Sequence, residues 1–393
     1  MEKVDILSIS PVCPYDNISH AGGKTYNYYL KQLSKSFKVS ALLFCPLVEK
    51  DKCDLKQYDI NHKLIFTSGS FLINIEHMFW DMIGALLFRN NMYSIFKYRK
   101  IIKYLDILKK EEAFPDVIEL EWTNFVYYAK KIRQRYPDVK IIASEHDVNF
   151  QSLERKNIRN RKLQRLKSQE LDSLKCCDIV LVQSEKDKIL LKNEGILNSN
   201  ILVISPYYHK MNIKNRMSNN RDILFWGAMY RPENYEAAIW FIKKVMPLLE
   251  NKDIRFIVAG NRPPQELKQY ESDRIIVTGF VEDEKPLFEN SMCFVSPLLT
   301  GAGIKVKVIE ALCSGIPVLT NSIGIEGIPA KDKIEYLHCE SAEQYAETII
   351  RIQSGKINKR ELYLNQKKFM DGNFNIENSL KEYIDKIEGL KGE

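Results

Sequence analysis

The sequence predicts an α/β protein built from two doubly wound, Rossmann-like domains, and three observations carry that reading. Apolar runs of strand length alternate with amphipathic helical stretches from Val4 onward, the pattern of parallel sheets with crossover helices. The alternation breaks at Lys210–Arg221, a polar stretch rich in Asn, Lys and Arg, and resumes at Asp222. The 393 residues exceed what one ordinary core serves, so two domains are expected. The N-terminal domain is placed at residues 1–210, a linker at 211–221 and the C-terminal domain at 222–375.

Val4–Ser10 is the first strand. A loop rich in Pro, Asn, Ser and Gly runs to Gly23, a helix covers Lys24–Ser36, and Val39–Phe44 is the next strand. No Gly-x-Gly-x-x-Gly follows the first strand, which argues against a dinucleotide enzyme. Phe71–Lys103 is rich in Phe, Met, Ile, Leu and Tyr and reads as helical. Core is the default for such a segment; a membrane-facing surface and an acceptor channel are the alternatives. Pro115–Glu121 is a strand followed by a helix to about Tyr136, and Lys140–Ser144 is a strand ending in Glu145-His146-Asp147. His146 therefore lies just past a strand's carboxyl end, the edge at which such sheets bind ligands. A structural histidine is the competing reading.

Arg155–Lys167 carries seven basic residues in thirteen, and Leu153, Ile158, Leu163, Leu166, Leu171 and Leu174 mark it as amphipathic. Its basic face is either solvated or suited to anionic headgroups. Asp178–Val182 and Ile201–Ser205 are short strands around a helix at Glu185–Asn193.

In the second half, strand Asp222–Trp226 leads to a loop at Gly227 and a helix at Tyr235–Leu249. Strands Arg255–Ala259 and Arg274–Thr278 flank a loop at Gly260. Met292–Pro297 is a buried strand. Gly301 and Gly303 then open a loop, Lys305 and Lys307 follow, and a short helix runs through Glu310, Ala311 and Leu312. Gly315 and Pro317 end that helix, and Pro317–Thr320 is the next strand. Glycines let backbone N–H groups approach an anion, and the helix N-terminus adds a partial positive charge. Lys305 and Lys307 add two full charges. Glu310, one turn past Lys307, is placed for paired hydroxyls such as those of a ribose. A solvated Lys/Glu helix start is the other reading. Helices at Ser341–Gln353, Leu362–Met370 and Ile376–Leu390 complete the chain.

Hydrophobic content of 45% and charged content of 28% describe a globular chain. A net charge of +7 favours anionic ligands or surfaces without selecting nucleic acid, and no nucleic-acid partner is expected. Eight scattered cysteines lack a Cys-x-x-Cys pair and read as reduced, buried thiols of a cytosolic protein. The opening VDILSIS is too short, and too interrupted by Asp5, for a signal peptide. Phe71–Phe88 contains Glu76, His77 and Asp81, too much charge for a spanning helix. The expected location is cytoplasmic, peripheral to the inner face of the plasma membrane if the basic helix meets lipid.

Taken in order, Gly301, Gly303, Lys305, Lys307, Glu310, Ala311, Gly315, Pro317, Val318, Gly324, Glu326 and Gly327 resemble a specific segment. It is the nucleotide-sugar binding segment of retaining glycosyltransferases of the GT-B fold (the family 4-like transferases, glycosyl transferases group 1). The resemblance extends over essentially the whole chain and is sharp from Gly227 to Gly327. It implies two Rossmann-like domains facing across a cleft, with residues 376–393 packing back on the first. It implies a UDP- or GDP-sugar donor, a glycan or lipid-linked acceptor, and no tightly bound cofactor or metal. By this resemblance Glu310 binds the ribose hydroxyls, Lys305 and Lys307 neutralise the diphosphate, and His146 lies near the donor sugar. His146 and Lys305 are thus the catalytic candidates.

The pair Gly22-Gly23 resembles the one that lets backbone approach donor phosphate or sugar. The Gly227 loop of relatives supplies a diphosphate-binding Arg; Arg231 is the nearest equivalent here and Arg262 a second basic candidate. The loop around Gly279–Val281, with Val281, would hold the base through backbone groups. Ala302 stands where many members carry a sugar-touching glutamate. That departure supports a second reading, a non-catalytic sugar-nucleotide-binding or transferase-partner protein; a sugar-nucleotide epimerase is a third.

Overall fold

The computed structural model describes residues 3–18, 20–88, 94–155, 161–211, 213, 221–250, 253–301 and 303–390. It divides into two compact units, Met1–Tyr207 with Ile376–Glu393, and Tyr208–Asn375.

The first unit is built on an all-parallel sheet. Its strands are β1 (Asp5–Ser10), β2 (Lys38–Pro46), β3 (Asn61–Ser68), β4 (Val117–Glu121), β5 (Lys140–Glu145), β6 (Ile179–Val182) and β7 (Ile201–Val203), in the order β3-β2-β1-β4-β5-β6-β7. Every residue of β4 is buried, as expected of a strand covered on both faces. Ile6 pairs with Val39 on one side and Val117 on the other. The chain therefore winds outward from β1 to β3 and returns to β4 beside β1. That reversal is the topological switch point, and ligands of such sheets bind at its carboxyl edge.

The local departures from the sequence reading have identifiable causes. Helix α1 spans Ala21–Ser36, so Gly22 and Gly23 lie in its first turn and not in the loop before it. His20 makes this possible: its Nδ1 accepts the Gly23 N–H at 3.0 Å, capping the helix. The helix after β4 is broken into Thr123–Val126 and Ala129–Arg135. The basic stretch forms Asn149–Arg155 and Arg161–Leu174. Residues 156–160 lie outside the described residues, as does most of the 211–221 linker. Lys167 is drawn from any basic face by Glu194, at 2.6 Å.

The aromatic-rich segment is two helices, α2 (Phe71–Phe88) and α3 (Ile95–Lys110). The core reading fails for α2, where Phe71 and Leu72 are 78% and 77% exposed. The last helix, Ile376–Gly389, is held to the first unit by hydrogen bonds. Tyr383 donates to Glu119 at 2.5 Å, and Ser379 Oγ accepts from Tyr29 at 3.1 Å and from the Ser205 N–H at 2.7 Å.

The second unit repeats the plan with β8 (Asp222–Trp226), β9 (Arg255–Ala259), β10 (Ile275–Gly279), β11 (Cys293–Ser296), β12 (Val318–Thr320) and β13 (Leu337–His338), ordered β10-β9-β8-β11-β12-β13 and parallel. Its switch point lies between β8 and β11. Pro232 occupies the first turn of helix Pro232–Lys244, the position where its missing N–H costs nothing, so the helix begins before Tyr235. A separate 3₁₀ turn, Met246–Leu249, contains Pro247. Phe241 packs on Phe256 in the core, ring centroids 4.5 Å apart. All eight cysteines are free. Among the described residues, no helix is long and apolar enough to cross a membrane, and no group of His, Cys, Asp and Glu could hold a metal ion.

Candidate functional site

In the first unit, three elements meet at the switch point. β4 ends in Glu121-Trp122, β5 in Glu145-His146, and the first turn of α1 arrives from β1. The His146 ring stacks on Trp122 at 4.1 Å and 16°. Its Nε2 lies 2.8 Å from Glu121 and its Nδ1 3.1 Å from the Gln183 amide nitrogen. With that amide donating to Nδ1, the neutral ring carries its proton on Nε2 and gives it to Glu121. Gly22 lies against the same stack: a Cβ there would come within 3.2 Å of Trp122 and 3.3 Å of His146. Trp122 itself holds φ +65°, a conformation that costs a bulky residue energy and collects at functional sites.

Burial controls protonation here. It pushes the His146 imidazole down to about 4 and Glu121 up to about 8. Glu119, two residues back on β4, also rises to about 8 by burial, with the nearby Glu121 charge adding to the shift and the Tyr383 hydrogen bond opposing it. Three ionisable groups therefore favour their uncharged forms beneath this edge.

In the second unit, three loop starts are laced along the carboxyl edge. The Gly227 N–H donates to Ala259 at 3.1 Å, Gly260 to Gly279 at 2.9 Å, and Tyr230 to Asn261 at 3.2 Å. Beside them, helix Val306–Ser314 starts at Lys305. Lys305 Nζ donates to the Gly303 carbonyl at 2.5 Å and lies 3.8 Å from Glu326. Lys307 reaches back under the β8 loop. Its Nζ donates to Asn234 Oδ1 and sits 4.9 Å over the Phe225 ring. Asn234 is fixed in turn by its Nδ2, which donates to the Ala228 carbonyl at 2.9 Å. Lys307 keeps part of its surface open, yet burial, with repulsion from Lys305, pushes its ammonium down to about 7. Glu310, one turn further, is buried.

The remaining candidates are more exposed. Arg231 stands just before the Pro232–Lys244 helix, with no side-chain capping bond, and pairs with Glu233 at 2.5 Å. Arg262, at φ +48°, stacks 4.4 Å over Tyr230. Val281 follows Gly279 and is half-buried. The fold thus gathers Gly22, Gly23 and His146 at one edge of the first unit. It gathers Gly227, Arg231, Arg262, Gly301, Gly303, Lys305, Lys307 and Glu310 along the corresponding edge of the second, with Val281 just past β10. Ala302 lies outside the described residues. Sequence reasoning missed Trp122, Glu121, Gln183 and Asn234. The first two were accessible in principle, as the residues ending the strand that pairs with β1.

Residues 220–354 match the family model of glycosyl transferases group 1. A 44.6 kDa protein in the cps region of Klebsiella pneumoniae is 29% identical over 202 residues, 48% of this chain and 51% of that one; the match therefore spans about half of that relative's length. An uncharacterized glycosyltransferase of Methanocaldococcus jannaschii is 23% identical over 98% of both chains. Solved structures similar over 99% of this chain and 100% of theirs include HepE of Anabaena in complex with UDP (TM-score 0.70, 11% identity). Another is the sucrose-phosphate synthase of Thermosynechococcus elongatus (TM-score 0.72, 15% identity). The fold is GT-B, two Rossmann-like parallel-sheet units, and the group 1 segment coincides with the edge that carries Lys305, Lys307 and Glu310.

Proposed function

We propose that this protein is a glycosyltransferase. It moves a hexose from a UDP- or GDP-sugar to a glycan or lipid-linked acceptor, with retention of configuration, in surface polysaccharide synthesis. One observation carries the reading: a helix N-terminus, Lys305 and Lys307 converge at the carboxyl edge of the second sheet, with Glu310 one turn on. In this reading residues 222–375 bind the donor and residues 1–210 the acceptor. Lys305, Lys307 and the first-turn amides stabilise charge on the departing diphosphate, as a divalent cation does elsewhere. Glu310 accepts from the ribose hydroxyls. Arg231 and Arg262 reach the phosphates from the β8 and β9 loops, and Gly227, Gly301 and Gly303 admit them to the backbone. Backbone at Val281 holds the base. His146, with Gly22 and Gly23, contacts the donor sugar. The reading is supported by what its structural neighbours bind: HepE has been solved with UDP-glucose. Another neighbour is a lipopolysaccharide outer core galactosyltransferase.

The test is titration of UDP, GDP, ADP and dTDP, with and without sugars, against wild type and Glu310→Ala. One nucleotide family should raise the melting point of wild type, by about 2.7 kcal/mol of stabilisation at a hundred times its Kd, and leave the variant unmoved. Lys305→Ala should lower turnover about ten- to a thousand-fold. If no nucleotide shifts wild type, or the variant shifts equally, the donor-site reading falls. Product anomer, read by NMR, decides retention. Binding without transfer to any acceptor would favour the non-catalytic alternative that Ala302 raises.

A further inference from the structure

α2 is apolar around most of its girth and turns one apolar face away from the unit. Phe71, Leu72, Met78, Phe79, Met82 and Leu86 are between 49% and 78% exposed. At 100° per residue they fall within an arc of about 120°. The charged and ionisable residues of α2 lie outside that arc and fasten the helix to the unit. Glu76 accepts from Lys100 at 2.7 Å. His77 donates to the Thr67 carbonyl at 3.1 Å, and Asp81 accepts from Ser94 at 2.7 Å. A helix on a protein core buries its apolar stripe; this one turns Ile73, Trp80, Ile83 and Gly84 to its less exposed side and leaves a second apolar arc in the open. A contiguous apolar patch of this kind marks a docking surface.

The charge beside it identifies what docks. α3 packs along α2 and carries Lys97, Arg99, Lys100, Lys103, Lys109 and Lys110 against a single acid, Asp106. Between the helices lies an open cavity of about 730 Å³ whose lining includes Trp80, Arg99, Lys103 and Lys110. The Arg99 guanidinium sits 3.8 Å over the Trp80 ring. Lys103 is exposed and has no ion pair within 4 Å among the described residues. An apolar helical face beside basic residues, with a Trp between them, is the composition of a membrane interface. A second copy of the chain docking through this face would set the same basic rim against itself.

We propose that α2 and α3 form a docking surface for an anionic lipid bilayer. α2 lies in the plane of the interface with its apolar arc among the acyl-chain ends, while Arg99, Lys103 and Lys110 meet headgroup phosphates at the cavity. The inference goes beyond the transfer reading and needs neither donor nor acceptor, so each can fail without the other.

The experiment is co-sedimentation of the full chain with vesicles of phosphatidylcholine alone, and of phosphatidylcholine with phosphatidylglycerol in equal parts. Wild type should sediment with the second and not the first, and release as salt rises. Phe71→Asp with Met78→Asp should abolish sedimentation. Arg99→Glu with Lys103→Glu should weaken it by roughly fivefold or more per charge, and this pair keeps the test open if the first variant does not fold. Melting points of all variants are compared with wild type. No sedimentation of wild type, or sedimentation that survives both pairs of substitutions, overturns the proposal. So does a dimer that Phe71→Asp with Met78→Asp dissolves while wild type ignores vesicles, since the face would then join copies of the chain.

Discussion

The His146 imidazole lies almost parallel to the Trp122 indole, centroids 4.1 Å apart and planes 16° from parallel. A ring clamped on its face by Trp122 and at both nitrogens by Glu121 and Gln183 has its orientation and its tautomer set before any ligand arrives. Burial moves its folded pKa from 6.5 down to about 4. A depressed pKa contributes stability that is fully present above the unfolded value and is lost as pH falls from about 6.5 through about 4. NMR of ¹⁵N-labelled imidazoles should therefore show His146 neutral at pH 6, with its proton on Nε2. His146→Gln should weaken the acid dependence of the melting point in that window. A ring that titrates near 6.5 would remove the clamp from the account.

Glu119 gives the opposite sign. Its folded pKa is raised from 4.5 to about 8, by burial first and by the Glu121 charge second. The stability it contributes is present below the unfolded value and is lost as pH rises from about 4.5 through about 8. Glu119→Gln keeps an oxygen to accept the Tyr383 hydrogen bond and cannot ionise. The wild-type melting point should fall between pH 5 and pH 8, and the variant's should fall less. Equal slopes would show that Glu119 does not titrate differently on unfolding.

How much of this was legible beforehand follows from how far each interaction reaches along the chain. Lys305, Lys307 and Glu310 sit on one strand–loop–helix unit, so their spacing alone places them together. Glu121, His146 and Gln183 come from the ends of three neighbouring strands, and only the β4-β5-β6 order brings them to one point. Asn234 reaches Lys307 across 73 residues. β3 is not legible in the sequence because its only apolar run, Leu64–Phe66, is three residues long and the edge strand is nowhere fully buried. α2 was misread for another reason: composition reports how apolar a helix is, and only packing decides whether its apolar arc faces in or out.

Gly260 offers a steric test of the second site. Its φ is +142°, and a Cβ there would lie 1.6 Å from the Gly227 carbonyl oxygen, a backbone atom that cannot rotate away. Gly279, also at positive φ, would place a Cβ in open space. Gly279→Ala should therefore cost only the strain of the left-handed conformation, about 1–2 kcal/mol. Gly260→Ala should cost more, about 3 kcal/mol or beyond, because overpacking adds to strain, and should also displace the Gly227 loop. Denaturant melts of the two variants, with nucleotide titration of each, make the comparison. Equal costs would mean that the loops at β8 and β9 yield to each other.

Lys307 links ligand charge to protons. Its ammonium is pushed down to about 7 by burial first and by Lys305 second, so above pH 7 the uncharged amine dominates in the folded state. A diphosphate bound at the Lys305 end of the helix would set negative charge beside it and restore its proton. Binding at pH 8 should therefore take up a fraction of a proton approaching one, and affinity should fall as pH rises from 7 to 9. Calorimetry in two buffers of different ionisation enthalpy measures the uptake directly. Lys307→Met, which keeps the stem over Phe225 and removes the charge, should abolish the uptake and lower affinity by roughly tenfold or more. Proton uptake that persists in Lys307→Met would assign the effect to the ligand's own phosphate or to another group.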